Sequence, residues 1–172
     1  MVFQEPTTSL NPVFTIGYQI EEVIRLHQSH LSATERREGV LDALKKVRIA
    51  DPLRISKSYP HELSGGMRQR AMIAMALSGC PDLLIADEAT TALDVTVQAQ
   101  VLDLLRELQQ ELGMALLLIT HDVGIIAETV DRVVVMQEGR VVEQSGVREI
   151  FRSPQHAYTQ RLMEIYGKFD NP

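Results

Sequence analysis

Two carboxylates, Asp87 and Glu88, follow directly on the apolar run Leu83-Leu84-Ile85-Ala86. A carboxylate at a strand end can hold Mg2+, directly or through its waters, and a second one pointing elsewhere can take a proton from an attacking water. The same pair would also make an ordinary acidic turn, so alone it assigns nothing. Leu63-Ser64-Gly65-Gly66-Met67-Arg68-Gln69 is a second candidate. Two glycines let a backbone approach a ligand closely, and a helix opening there turns free amide groups and its positive dipole end outward, where anions bind. A serine N-cap with glycines in the turn has the same sequence. The third candidate is Ile119-Thr120-His121-Asp122, polar residues at the end of another apolar run, where an imidazole can hydrogen-bond a terminal phosphate.

Positioning these groups falls to the elements around them. Leu83–Ala86 and Ala115–Ile119 are short continuous apolar runs, as expected of strands covered on both faces of a sheet. Between them Val97, Val101, Leu104, Leu105, Leu108 and Leu112 recur at helical spacing, so the segment predicts a parallel strand-helix-strand crossover. In such sheets ligands bind beyond the carboxyl ends of the strands. Upstream, Ile16, Ile20, Val23 and Ile24 share one face of a helix near 13–28. Ser32 and Glu35 have capping-box spacing before a helix near 33–48, with Val40, Leu41, Leu44 and Val47 as its apolar stripe. Pro52 and Pro60 break the pattern, and a Met- and Ala-rich helix is expected over 66–79. Downstream, Arg132–Met136 and Arg140–Val142 flank Gln137-Glu138-Gly139 as a hairpin, and the chain returns to helix from Gly146. Met1-Val2-Phe3-Gln4 reads as the last residues of a buried strand.

The 172 residues, 45% hydrophobic and 23% charged, have ordinary globular composition and can bury one sizeable core. A net charge of -6 without a Lys/Arg run argues against a nucleic-acid partner. The single cysteine, Cys80, fits a reducing compartment. No apolar run approaches the ~20 residues of a membrane span, so direct membrane insertion is not expected.

Taken in order, Gln4, Leu63–Gln69, Leu83–Glu88, Ala92-Leu93-Asp94 and Thr120-His121-Asp122 resemble the ATP-binding cassette (ABC) family. In that family's terms they look like the glutamine loop, signature motif, Walker B strand with its glutamate, D-loop and switch histidine. Five motifs in this order are far more specific than any one of them. The stretches Val2–Pro12 and Ser153–Thr159 look like the ATP-binding subunits of bacterial peptide, glutathione and nickel importers. The resemblance implies an α/β fold: a truncated P-loop NTPase core, residues 1-3 and 80-172, with a helical signature subdomain inserted at 4-79. It implies ATP and Mg2+ as cofactors. Glu88, His121 and Gln4 would be catalytic, and Asp87 and Gln4 would hold the metal. Ser64, Gly65, Gly66 and Gln69 would bind nucleotide, and Asp94 would lie at a dimer interface. The implied partners are a second ATPase subunit, in a homo- or heterodimer, and integral membrane permease subunits. The implied place is cytoplasmic, peripheral on the inner face of the plasma membrane.

The sequence departs from the family in three ways. No Gly-x-x-x-x-Gly-Lys-Ser/Thr occurs in the 172 residues. Phosphoryl transfer relies on the positioning and charge that loop supplies, so the chain is expected to be inactive alone, as a fragment of an importer ATPase. Ala89 stands where the family usually has proline after the glutamate, which removes no catalytic atom. No cysteine-containing extension follows the Tyr158-Thr159 segment. A second reading, of a non-enzymatic class, is a cassette subunit that does not hydrolyse ATP but supplies its signature motif in trans to a complete partner. A cassette protein of translation or DNA repair would leave the importer-like segments around Gln4 and Tyr158 unexplained.

Overall fold

The computed structural model describes residues 1–3, 9–90 and 93–166. They form two compact units that divide between Ile119 and Thr120.

The first unit opens with helices whose ends are set by side-chain caps. Helix α1 is Ile16–His27, shorter than the expected 13–28 because Thr15 accepts the Tyr18 N–H and fixes the start. Gln19, buried in α1, holds the preceding turn by accepting the Asn11 N–H and donating to the Asn11 and Phe14 carbonyls. Helix α2, Ala33–Lys46, carries the predicted capping box with both reciprocal bonds, Glu35 N–H to Ser32 Oγ and Ser32 N–H to Glu35. The Ser32 bonds hold the Glu35 carboxyl below its ordinary range.

The helical run is interrupted before Pro52 and again before Pro60, as expected, and the prolines do something more. Each begins a helix: α3 at Pro52–Lys57, with Asp51 accepting the Arg54 N–H, and a 3-10 turn at Pro60–Glu62. A proline in the first turn forfeits no hydrogen bond, since that N–H has no partner there, and its fixed φ suits the helix. Helix α1 passes so close to α3 that a Cβ on Gly17 would stand 2.6 Å from the Ser56 carbonyl oxygen, so only glycine fits. Helix α4, Gly65–Leu77, starts one residue before the predicted 66 because Ser64 caps it.

Strand β1 is Leu83–Asp87, one residue longer than the expected 83–86, and therefore takes Asp87 into the ladder. Helix α5, Val95–Leu112, crosses over to β2, Ala115–Ile119, which lies parallel to β1 in the register Leu83↔Ala115 to Asp87↔Ile119. Gly113, at φ 64, ends α5 in the left-handed conformation that glycine adopts without strain. On the other edge of β1, Val2 forms a parallel bridge with Ala86: the Val2 N–H donates to the Ile85 carbonyl at 2.7 Å and the Asp87 N–H to the Val2 carbonyl at 2.9 Å.

The expectation of strands covered on both faces is corrected. Leu84 and Ala86 are fully buried, with Leu116 and Leu118 packed beside them against a core that includes Ile73 of α4 and Leu104, Leu105 and Leu108 of α5. The alternate side chains Leu83, Leu117 and Ile119 are 48%, 47% and 43% exposed. Side chains alternate along a strand, and the described helices of this unit bury only one set.

The second unit is built on α6, Val123–Thr129, and an antiparallel hairpin of β3, Arg132–Gln137, and β4, Arg140–Gly146. Glu138 and Gly139 turn the hairpin at φ 51 and 76, the left-handed pair that a two-residue turn requires. Strand β4 runs past the expected Val142 to Gly146. Helices α7, Val147–Arg152, and α8, Ala157–Tyr166, follow, with Val133, Val135 and Ile150 as the buried centre. No described helix is long and apolar enough to cross a membrane.

Candidate functional site

Asp87 ends β1, its register partner being Ile119, and Glu88 is the first residue beyond the strand. Its N–H donates to the Ile119 carbonyl at 2.9 Å, so the backbone turns while still bonded to the end of β2. The turn places Glu88 at φ 46. A side chain with a Cβ is disfavoured there by about 1–2 kcal/mol, and such outliers gather where function requires a particular direction. Behind it, Ala89 and Thr90 are buried, which anchors the turn from inside. The two consecutive carboxylates are thus held differently, Asp87 by the strand ladder and Glu88 by a left-handed turn.

Ser64 has extended backbone angles, and its hydroxyl accepts the Met67 N–H at 3.3 Å, which makes it the N-cap of α4. Leu63, just before it, is buried. Asp94 plays the same part for α5, its carboxylate accepting the Val97 N–H at 3.0 Å. The two helix starts touch: a Cβ on Gly65 would meet Leu93 Cδ2 at 3.5 Å, and one on Gly66 would meet Val97 Cγ1 at 2.8 Å. Gln69 lies one turn into α4, fully buried, and neither its Oε1 nor its Nε2 has a hydrogen-bond partner among the described residues. Arg70 donates to the Val47 carbonyl at 3.0 Å, and burial lowers its guanidinium pKa.

In the second unit His121 is exposed, immediately before the cap of α6. Asp122 is that cap: its carboxylate accepts the Gly124 and Ile125 N–H groups, while its own N–H donates to Thr120 Oγ1 at 3.0 Å. Thr120 and His121 also border a cavity of about 380 Å3, otherwise mostly apolar, between β3 and the helices, with Phe151, Tyr158 and Leu162 on its wall.

The structure therefore joins Asp87 to Glu88 at one strand end and sets Ser64, Gly65 and Gly66 beside the Asp94 turn, while His121 belongs to the second unit. Gln4, and Ala92 of the Ala92-Leu93-Asp94 segment, lie outside the described residues. Sequence reasoning did not find Val97, which it counted only as part of an apolar stripe. Nor did it find Glu143, whose carboxylate accepts the backbone N–H groups of Gln155 at 2.8 Å and His156 at 3.0 Å. That grip holds the Ser153–Thr159 segment at the start of α8, and no local pattern announces a partner so far along the chain.

The donor set suits a hard cation only in part. Asp87 offers carboxylate oxygens at a strand end, and no group of three or more His, Cys, Asp or Glu side chains gathers among the described residues. Mg2+ ordinarily takes one or two carboxylates and completes its shell with water and substrate phosphate, so a single Asp87 fits that habit.

Comparison with known proteins bears on all of this. The family model for ABC transporters matches residues 1–91. A probable peptide ABC transporter ATP-binding protein of Sinorhizobium fredii is 56% identical over 163 residues, covering 95% of this chain and 48% of that protein. The glutathione import ATP-binding protein of Escherichia coli O1:K1 / APEC is 57% identical over 166 residues, 95% of this chain and 26% of its own length. The chain thus spans about half, or less, of the curated relatives it matches. Among solved structures, cbiO1 of Clostridium perfringens, part of the ABC transporter complex cbiONQ, superposes with a TM-score of 0.76 at 34% identity. It covers 88% of this chain and 58% of that one. The dimeric post-hydrolysis state of the ATP-binding cassette MJ0796, bound to ADP and Pi, gives 0.71 at 30% identity, over 85% of this chain and 62% of that one. The α/β architecture expected from the sequence is that of these cassettes.

Proposed function

The chain belongs to the ABC transporter family, and from that membership we propose that it is part of the ATP-binding subunit of an importer, one that couples ATP hydrolysis to uptake of peptides or similar small solutes. The observation that carries the reading is Glu88, held in a disfavoured backbone conformation at the end of a parallel strand, where a base must meet a water. The identity to peptide and glutathione importer subunits across 95% of the chain supports the solute class.

In this reading Glu88 takes the proton of the attacking water, and His121 and Gln4 contact the terminal phosphate and the water or metal. Asp87, with Gln4, would hold Mg2+, which supplies charge neutralisation on the phosphates when bound. The Ser64-Gly65-Gly66 turn, a helix start capped by the Ser64 hydroxyl, faces nucleotide held by a second cassette, and Asp94 lies at that interface. Gln69 adds a donor and an acceptor from behind the turn. Residues 1-3 and 80-172 form part of the α/β core, and 4-79 form the helical subdomain that meets integral membrane permease subunits on the inner face of the plasma membrane.

The test is steady-state ATP hydrolysis by the full-length subunit assembled with its membrane partners in proteoliposomes. Glu88→Gln should lower kcat by about 100-fold or more while leaving ATP binding intact. Unchanged turnover would remove Glu88 as the base. The alternative reading, a cassette that only supplies its signature turn in trans, is separated by the same assay. On that reading Glu88→Gln is silent and substitution of Ser64 is not.

A further inference from the structure

The second glycine of the signature turn is ordinarily explained by what lies outside the chain, a nucleotide that comes close. Here an explanation lies inside it. A Cβ on Gly66 would stand 2.8 Å from Val97 Cγ1 and 4.0 Å from Cγ2. Carbon atoms pack at about 3.5–4.0 Å, so one side must move. Val97 has little freedom to do so. It is β-branched, with one strongly preferred rotamer in a helix. It also sits in the first turn of α5, where the Asp94 carboxylate holds its N–H at 3.0 Å. Gly65 is under no such constraint, its Cβ meeting Leu93 only at ordinary contact distance. One turn farther along, Arg70 of α4 reaches Gln100 of α5 at 3.5 Å, so the helices continue side by side past the contact.

We propose that Val97 is a positioning residue whose methyl group imposes glycine at position 66 and locks the Ser64 turn to the Asp94 turn, so that both present themselves to the opposing cassette as one rigid edge. The functional half of this proposal rests on the reading of Ser64–Gly66 as a signature turn; the steric half does not.

Five proteins decide it: the full-length subunit as wild type, Gly66→Ala, Val97→Ala, the double variant and Val97→Thr, each assembled with its membrane partners. Thermal unfolding of each subunit is measured beside kcat and KM for ATP. Gly66→Ala should lower Tm by roughly 2–12 °C, the effect of overpacking one methyl group, and lower kcat about tenfold. The double variant should regain most of both, because the space left by Val97 receives the new methyl. Val97→Ala alone should lower kcat several-fold with KM little changed, since binding survives but the edge loosens. Val97→Thr, which keeps a branched side chain of the same shape, should retain kcat. The proposal fails if Gly66→Ala leaves Tm unchanged, or if the double variant regains Tm but not turnover, because nucleotide approach then dictates the glycine. It also fails if Val97→Ala lowers Tm without touching kcat. Loss of hydrolysis in the wild-type assembly would count against the ATPase reading instead, and the Tm comparison of Gly66→Ala with the double variant would still decide the contact.

Discussion

The turn after β1 and the turn before α4 carry the residues with the clearest chemical promise, and they are built on opposite principles. At Ser64 every local feature agrees with the fold: extended backbone at the cap, a hydroxyl on the Met67 N–H, a buried Leu63 behind, and glycine where the neighbouring helix leaves no room. At Glu88 the local features conflict, since a residue with a long side chain sits at φ 46, where glycine or asparagine would be at ease. Local backbone preference favours the first turn, whereas the second is held against it by the Glu88 N–H on the Ile119 carbonyl. Left-handed backbone alone does not single Glu88 out, since Arg48, Cys80 and Glu138 share it; its place just beyond the end of parallel strand β1 does.

That contrast can be broken by stability measurements. Removing a cap should cost most: Asp94→Ala is expected to destabilise by about 1–2 kcal/mol in urea unfolding, because a charged cap on the N-terminus of an 18-residue helix also meets the helix dipole. Ser64→Ala, with its longer bond, should cost about 0.5–1 kcal/mol. Glu88→Gly should go the other way, raising stability by about 1 kcal/mol as the left-handed strain is relieved. A loss of stability there would mean that Glu88 belongs to the construction after all. The smallest effect concerns neither turn but the Glu143 grip on Gln155 and His156. Those backbone bonds, the Gln155 N–H first, hold the Glu143 carboxyl below its ordinary 4.5. Because the folded state lowers this pKa, its contribution is complete above that value and is lost as pH falls through the lower one. Exchange protection of the Gln155 and His156 amides should therefore fall as the pH drops below the ordinary 4.5, modestly, because the carboxylate is exposed to solvent. Glu143→Gln should flatten the change.

Much of the fold was legible because it is written locally. The Ser32/Glu35 spacing produced the capping box, the apolar stripe from Val101 to Leu108 produced α5, and Glu138-Gly139 produced a two-residue hairpin turn. Pro52 and Pro60 were legible as breaks but not as starts, since proline also suits the first turn of a helix, and for Pro52 the Asp51 cap is what marks it. The exposed faces of Leu83, Leu117 and Ile119 were illegible because a continuous apolar run does not say which neighbours are present. In the candidate site, residue types were legible and their manner of support was not. Asp94 immediately before a periodic apolar segment is a readable cap signal. The φ of Glu88 and the touch of Gly66 on Val97 depend on elements that meet only after folding.

The bridge between Val2 and Ala86 has a consequence for how such a chain is assembled over evolution. Of the described residues between them, the helices from Ile16 to Leu77 start and finish beside this bridge, so the entry and exit of the helical part are neighbours. A segment closed at its base in this way can be lengthened, shortened or exchanged for another without rerouting the strands that carry Asp87 and Glu88. The helices and the strands still share one buried core, so what can vary freely is the outer face of that segment and not the side that packs on Leu84 and Ala86.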